Sequence, residues 1–254
     1  MLMRSATLSL ALLIVVPPAM AHYDIRPRVE DGRIVTDGFD DATASIELHL
    51  RVFGYDFGEN ADDPFFAQDP GFNAPVGSGL PAGSQLRFNL LGPLQHWSGD
   101  GAVWFDNVMT GQTLDLNFGT STRTITGSSA FQSGFAIQTV GAGGTIHRHL
   151  NAFLKGPDGN TVPAGPGSWG PGDGVEAPAG AYLFSLELLL DPDNGIAGSE
   201  PIYIVFNHGL SEAAHDAAIE WVQNVLVPEP AMSAVVVLPL ASLLCRRETH
   251  RPGR

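Results

Sequence analysis

Apolar and polar residues alternate along much of this chain, a pattern typical of strands that bury one face. In residues 45–53 every second position is apolar, from Ile46 to Val52. Further runs rich in β-branched and aromatic residues are separated by turns rich in glycine and proline. This pattern predicts strands over residues 45–53, 85–91, 113–118, 133–140, 145–154, 181–190 and 201–207.

One segment near the end of the chain has helical spacing instead. Ser211 suits an N-cap and Glu212 suits the first turn of a helix. The apolar residues that then recur with a helical period are Ala214, Ala218, Trp221, Val222 and Val225. The pattern predicts a mainly β fold, a single β-sandwich or jelly-roll domain closed by one C-terminal amphipathic helix.

The first 21 residues have a different character from the predicted domain. Arg4 precedes an apolar stretch, and small residues stand at the end of the segment, in Ala19-Met20-Ala21. These features predict a secretory signal peptide that is cleaved before His22. The apolar stretch is shorter than the roughly 20 residues that a membrane span needs.

The last part of the chain carries three ordered elements. A Val227-Pro228-Glu229-Pro230 motif precedes the apolar residues 231–245, and Arg246-Arg247 begins a basic end. This order resembles the PEP-CTERM sorting signal of Gram-negative bacteria. The resemblance implies recognition by an exosortase, transient association with the inner membrane, and delivery to the cell surface. The chain therefore divides into a signal peptide (1–21), a β-sandwich domain (22–227) and a sorting tail (228–254).

The predicted domain is strongly acidic. Of the 13 basic residues five lie in the end segments, which leaves 8; of the 27 acidic residues two lie there, which leaves 25 and a net charge of −17 with histidine neutral. Such a field repels nucleic acid and attracts cations. The one cysteine, Cys245, lies in the tail, so a metal in the domain would need imidazole, carboxylate, carbonyl or amine ligands.

Histidines are the best candidates for metal ligands. His147 and His149 stand two apart in the strand predicted at 145–154, so both side chains project from one face, together with Asn151. The pair resembles the His-x-His pair of cupin-type barrels, which bind first-row metals. We therefore predict zinc or copper binding, with His147 and His149 as the first ligands.

Two further histidines are candidate ligands, with His208 in reserve. A mature N-terminal His22 resembles the first residue of the copper histidine brace of lytic polysaccharide monooxygenases. His215 borders the apolar face of the predicted helix and would approach the pair if the helix packs beside that strand. His22, the pair and the His215-Asp216 helix also resemble zinc-regulated PEP-CTERM proteins, which implies metal handling at the envelope.

Several kinds of site are less favoured. The acidic loop of residues 56–69 could bind calcium through carboxylates and carbonyls, but the spacing of its five carboxylates matches no known motif. No Gly-x-Ser-x-Gly, P-loop or His-Glu-x-x-His motif is present. The preferred hypothesis is an exported, non-catalytic protein that binds a divalent transition metal. The alternatives are a structural or adhesive matrix protein, and a polysaccharide-active enzyme with a copper brace at His22; extracellular polysaccharide is a candidate partner.

Overall fold

The computed structural model describes residues 23–59, 63–157 and 176–227. The fold in these ranges is mainly β, which confirms the predicted fold class. Its strands are β1 (Asp24–Glu30), β2 (Arg33–Asp40), β3 (Ser45–Glu47), β4 (Val52–Asp56), β5 (Phe66–Ala67), β6 (Gly71–Ala74), β7 (Gln85–Leu90), β8 (Gln95–Trp97), β9 (Asp106–Asn107), β10 (Thr113–Phe118), β11 (Ser121–Thr126), β12 (Gln132–Thr139), β13 (Ile146–His149), β14 (Asn151–Lys155), β15 (Gly180–Asp191) and β16 (Ile202–His208). One helix, α1 (Glu212–Leu226), follows the last strand.

The strands form three sheets. The largest has the order β12-β7-β15-β16-β4, with β8 paired to β15 and β9 paired to β8. A second sheet has the order β13-β6-β1-β2-β3, and a third has the order β11-β10-β14-β5. The successive strands β13 and β14 lie in different sheets, so the short link between them joins the second sheet to the third.

The two smaller sheets pack on one face of the largest sheet. Along β15, Tyr182, Phe184 and Leu186 belong to a core that also contains Ile25 from the second sheet and Leu116 from the third. Ala181 and Leu183 point the other way, into a second core shared with the helix. The result is a β-sandwich with a helix on its outer face, and burial of apolar side chains on both faces of β15 stabilises it.

Helix α1 begins where the sequence predicts. Ser211 is the N-cap, and its hydroxyl accepts a hydrogen bond from the backbone N–H of Ala214. The helix packs against β4 and β16. Its buried face is His215, Ala218, Ile219 and Val222, whereas Val225 is exposed, so the face is rotated slightly from the predicted one.

The prediction of one continuous strand over residues 45–53 is wrong. The chain turns at His49, which has a positive φ of 58°, and β3 and β4 lie in different sheets. The backbone N–H of His49 donates to Asp37 Oδ1 at 2.9 Å. The residue in the left-handed region ends the strand there. All three residues of β3 are exposed, and Leu48 is 65% exposed although its position in the pattern is apolar.

The strand predicted over residues 145–154 is divided at Leu150. This residue is buried, and its N–H donates to the carbonyl of Pro70 at 3.1 Å rather than continuing either ladder. The strands predicted near β7, β10, β12, β15 and β16 are confirmed to within one residue at each end. Within the described ranges no helix is long and apolar enough to cross a membrane.

Candidate metal centre

Two carboxylates and one imidazole converge at one end of the second sheet. Ligand atoms of Asp24, Asp69 and His149 all lie within 4.8 Å of one another. Across residues 23–59, 63–157 and 176–227, this is the one group of three or more histidine, cysteine or acidic side chains with such a geometry. The three side chains come from positions 45 to 125 residues apart, so only the fold brings them together.

The pairing of three strands sets the positions of the cluster. Strand β6 lies between β1, which is parallel to it, and β13, which is antiparallel. In this register His149 is opposite Gly71, the first residue of β6, and Ile25 is opposite Phe72. Asp24 and His149 therefore flank the same end of the central strand.

Gly71 leaves the space in which the two flanking side chains meet. A Cβ atom added there would lie 2.0 Å from Asp24 Oδ1 and 2.7 Å from His149 Cε1. Real Cβ contacts are never so short, so any other residue at position 71 would displace one or both side chains. The glycine is thus required for the closure of Asp24 and His149 over β6.

Backbone and amide groups orient the cluster. His149 Nδ1 donates to the carbonyl of Gln68 at 3.1 Å and lies 3.8 Å from Asp69 Oδ1. With the hydrogen on Nδ1, the lone pair of the neutral ring is on Nε2, the arrangement found for many histidine ligands. Asn73 Nδ2, on β6, donates to Asp24 Oδ2 at 3.4 Å, and this hydrogen bond orients the Asp24 carboxylate.

The electrostatics of the cluster favour a cation. The pKa of His149 is raised, first by its polar contact with Asp69 and further by the charge of Asp24. Burial raises the pKa of the Asp24 carboxyl, and the nearby Asp69 charge acts in the same direction. With His149 neutral, two partly buried carboxylates face each other, and a divalent cation would relieve their repulsion.

The donor set fits a divalent transition metal. Two oxygens and one imidazole nitrogen suit zinc and its first-row neighbours, and the absence of sulfur disfavours Cu(I). Ligands about 2.1 Å from one ion lie no more than about 4.2 Å apart. The donor atoms, within 4.8 Å of one another, would reach this spacing by small side-chain rotations.

The Asp69–His149 contact gives a prediction for the metal-free protein. Because the pKa of His149 is raised on folding, the contact contributes stability that is complete below about pH 6.5 and is lost as pH rises through the folded-state pKa. We expect Asp69→Asn to lower the pKa of His149 toward about 6.5, as measured by NMR of chelator-treated protein. Asp41→Asn, an exposed carboxylate elsewhere, should leave it unchanged; an equal effect of both would refute the contact.

Only one histidine of the predicted His147–His149 pair belongs to the cluster. The two rings are neighbours, with centroids 5.7 Å apart in an edge-on arrangement. His149 belongs to the cluster, whereas His147 is exposed and outside the three-residue group. His147 is nevertheless close enough for its charge to lower the pKa of Asp24, so it lies at the rim of the site.

The prediction that His215 approaches His147 and His149 is wrong. His215 is buried, and its Nε2 donates to the carbonyl of Val205 at 3.0 Å. Its Nδ1 lies 3.8 Å from Asp56 Oδ1, and Gly54 packs against the ring. The helix rests on β4 and β16 of the largest sheet and not beside β13, because its apolar face matches the outer face of that sheet.

Among the remaining candidates, the structure describes only His208 and Val227. His22 is outside the described residues, as are the signal peptide and the sorting motif from Pro228 to Arg247; Val227 is the C-cap of α1. His208 packs against Phe65 with the two rings tilted and their centroids 4.6 Å apart, and burial lowers the pKa of His208. Asp24 is the member of the cluster that the sequence did not single out, and no local pattern marks it. Asp69 was considered only as one carboxylate of the acidic loop, for calcium.

No protein-family model, curated protein or solved structure matches this chain.

Proposed function

We propose that this protein binds a divalent transition metal, zinc foremost, through Asp24, Asp69 and His149, without catalysis. The observation that carries the proposal is the convergence of three ligand atoms within 4.8 Å over a glycine that leaves room for them. His147 stands at the rim, from which it can supply a fourth ligand by rotation of its side chain. Structural zinc sites are four-coordinate, so a three-residue set with one neighbour fits this ion.

The burial of the three groups supports binding over simple solvation. The Asp69 side chain is 14% exposed and that of His149 is 34% exposed, and Asp24 is half-buried, so water cannot fully hydrate the two carboxylates. Calcium is less suited because it takes six to eight oxygen ligands, and the cluster offers two carboxylates and a nitrogen. The calcium site predicted in the acidic loop stays a prediction, although Asp69 of that loop is part of the zinc site proposed here.

Zinc titration of the purified protein by isothermal calorimetry tests the proposal. We expect one site, and we expect His149→Ala to weaken it by at least about tenfold, since it removes the only imidazole of the group. Affinity should fall as pH decreases, with a midpoint above about pH 6.5, because protonated imidazole cannot coordinate and the pKa of His149 is raised.

Two variants separate this site from nonspecific binding. His49→Asn removes an exposed histidine and keeps a residue that tolerates the positive φ, so zinc affinity should not change. His215→Ala should also leave affinity unchanged, in contrast to the sequence-based expectation.

A third variant, His22→Ala, tests the remaining candidate ligand, which precedes Asp24 by two positions. Equal zinc binding by wild type and His149→Ala would refute the proposal.

We further propose that the domain acts at the cell surface, after export and exosortase-dependent sorting. The support is the order of features at the two ends of the chain, the signal-peptide pattern of residues 1–21 and the motif from Val227 to Arg247. Intact-mass analysis of protein from its native envelope should give a chain that begins at His22. A chain that retains residues 1–21 would contradict export.

A further inference from the structure

A second region of interest lies on the largest sheet, away from the sheet that carries the metal centre. The β8–β9 hairpin and the segments after it enclose an open cleft of about 420 Å³. This volume is within the range of about 300–1,000 Å³ that is usual for ligand sites. Its wall combines the exposed Trp104 and Met109 with the polar side chains of Asp100, Asp106 and Asn107.

Trp104 is held in place while its ring stays accessible. The side chain is 65% exposed, an unusual state for so large an apolar group. Its indole N–H donates to Asp106 Oδ1 at 3.2 Å, and its ring meets the edge of Trp221, with centroids 6.3 Å apart. The next residue, Phe105, is buried against the same Trp221, which anchors the hairpin to helix α1. An exposed ring fixed on two sides is a preorganised stacking surface.

The polar groups around this ring suit hydroxyl-rich ligands. Asp100 and Asn107 are exposed, and their planar ends can accept hydrogen bonds from, or donate them to, adjacent hydroxyls. A pyranose ring presents C–H groups on one face and hydroxyls around its edge. The flat apolar face would cover the Trp104 ring while the hydroxyls reach the carboxylates and amides, so both kinds of surface are satisfied.

Charge and the number of available rings narrow the ligand class. Acidic sugars would be repelled by Asp100 and Asp106 within a domain of net charge −17. A cage for a quaternary ammonium needs several accessible aromatic faces. Here Trp97 is only 6% exposed, and Trp104 is the one exposed residue among the described tryptophan, tyrosine and phenylalanine residues that line the cleft.

From these observations we propose that the Trp104 cleft binds a neutral oligosaccharide. This site is separate from the metal centre and does not depend on it. Trp104 provides the stacking surface, and Asp100 and Asn107 bind hydroxyls at the edge of the sugar ring. It would give an exported protein a direct contact with extracellular polysaccharide.

The test is NMR titration of the ¹⁵N-labelled protein with cellohexaose, xylohexaose, maltohexaose, hexagalacturonate and tetramethylammonium. We expect at least one neutral hexasaccharide to shift the Trp104 indole resonance. Trp104→Ala should weaken that binding by at least about tenfold, as for tryptophans at the centre of binding sites. Phe131→Ala, an exposed aromatic residue outside the cleft, should bind as wild type does.

Any one of three results would overturn the proposal. They are no shift with any neutral hexasaccharide, a shift with hexagalacturonate or tetramethylammonium alone, and unchanged affinity in Trp104→Ala. Because Trp104 is largely exposed, its truncation should leave the fold intact, which circular dichroism checks. Asp100→Ala provides a second variant that removes a hydroxyl acceptor without touching the packing of the hairpin.

Discussion

Gly71→Ala should abolish most zinc binding while every ligand stays in the chain. The new Cβ would lie 2.0 Å from Asp24 Oδ1 and 2.7 Å from His149 Cε1, so both side chains have to move apart. We expect affinity to fall by about 10–100-fold, the range for residues that orient metal ligands. The same calorimetric titration as for His149→Ala measures it.

The fold should tolerate the Gly71→Ala substitution. The atoms in the way belong to the ends of two partly exposed side chains, so the strain of overpacking would stay near the lower end of about 1–3 kcal/mol. Gly92→Ala is the matched control, because a Cβ at position 92 meets nothing within 4 Å and needs no positive φ. Full zinc affinity in Gly71→Ala would show that Asp24 and His149 do not act together.

Phe206→Ala should cause the largest loss of stability. Phe206 is completely buried in β16, and its ring stacks on Phe57 at 4.6 Å and lies 5.5 Å from that of Tyr55. Truncation would remove these contacts and leave a cavity between the largest sheet and the two smaller ones. The expected decrease in the free energy of unfolding is about 3–5 kcal/mol.

Urea denaturation followed by circular dichroism measures this decrease. Phe131→Ala is the control: it removes the same side chain from a position that is 60% exposed, so the change should stay within about 0.5 kcal/mol. If the two variants lost equal stability, Phe206 would not lie in the common core of the three sheets.

The period of the hydrophobic pattern was sufficient to predict the fold class and most long strands. Strands such as β15 and β16 are long enough for the period to identify them, and the capping Ser211 marks the start of α1. The pattern failed where one residue changes direction. At His49 the positive φ turns the chain from one sheet to another, and alternation alone carries no information about that turn.

The metal centre could be predicted only in part. A period of two correctly placed His147 and His149 on one face, but Asp24 and Asp69 reach His149 through the pairing of β1, β6 and β13. That register is a long-range property that no local pattern shows. For the same reason the sequence could not show that Gly71 leaves room for the cluster, or that His215 packs against the largest sheet instead.

The location of bound zinc tests the central claim most directly. Crystals grown with zinc, measured at the zinc absorption edge, would show the ion as a peak in the anomalous difference map. We expect the main peak between the carboxylates of Asp24 and Asp69 and the ring of His149, about 2.0–2.2 Å from each ligand atom. A zinc-bound crystal with no peak at these three residues, or with its main peak at His215, would contradict the account.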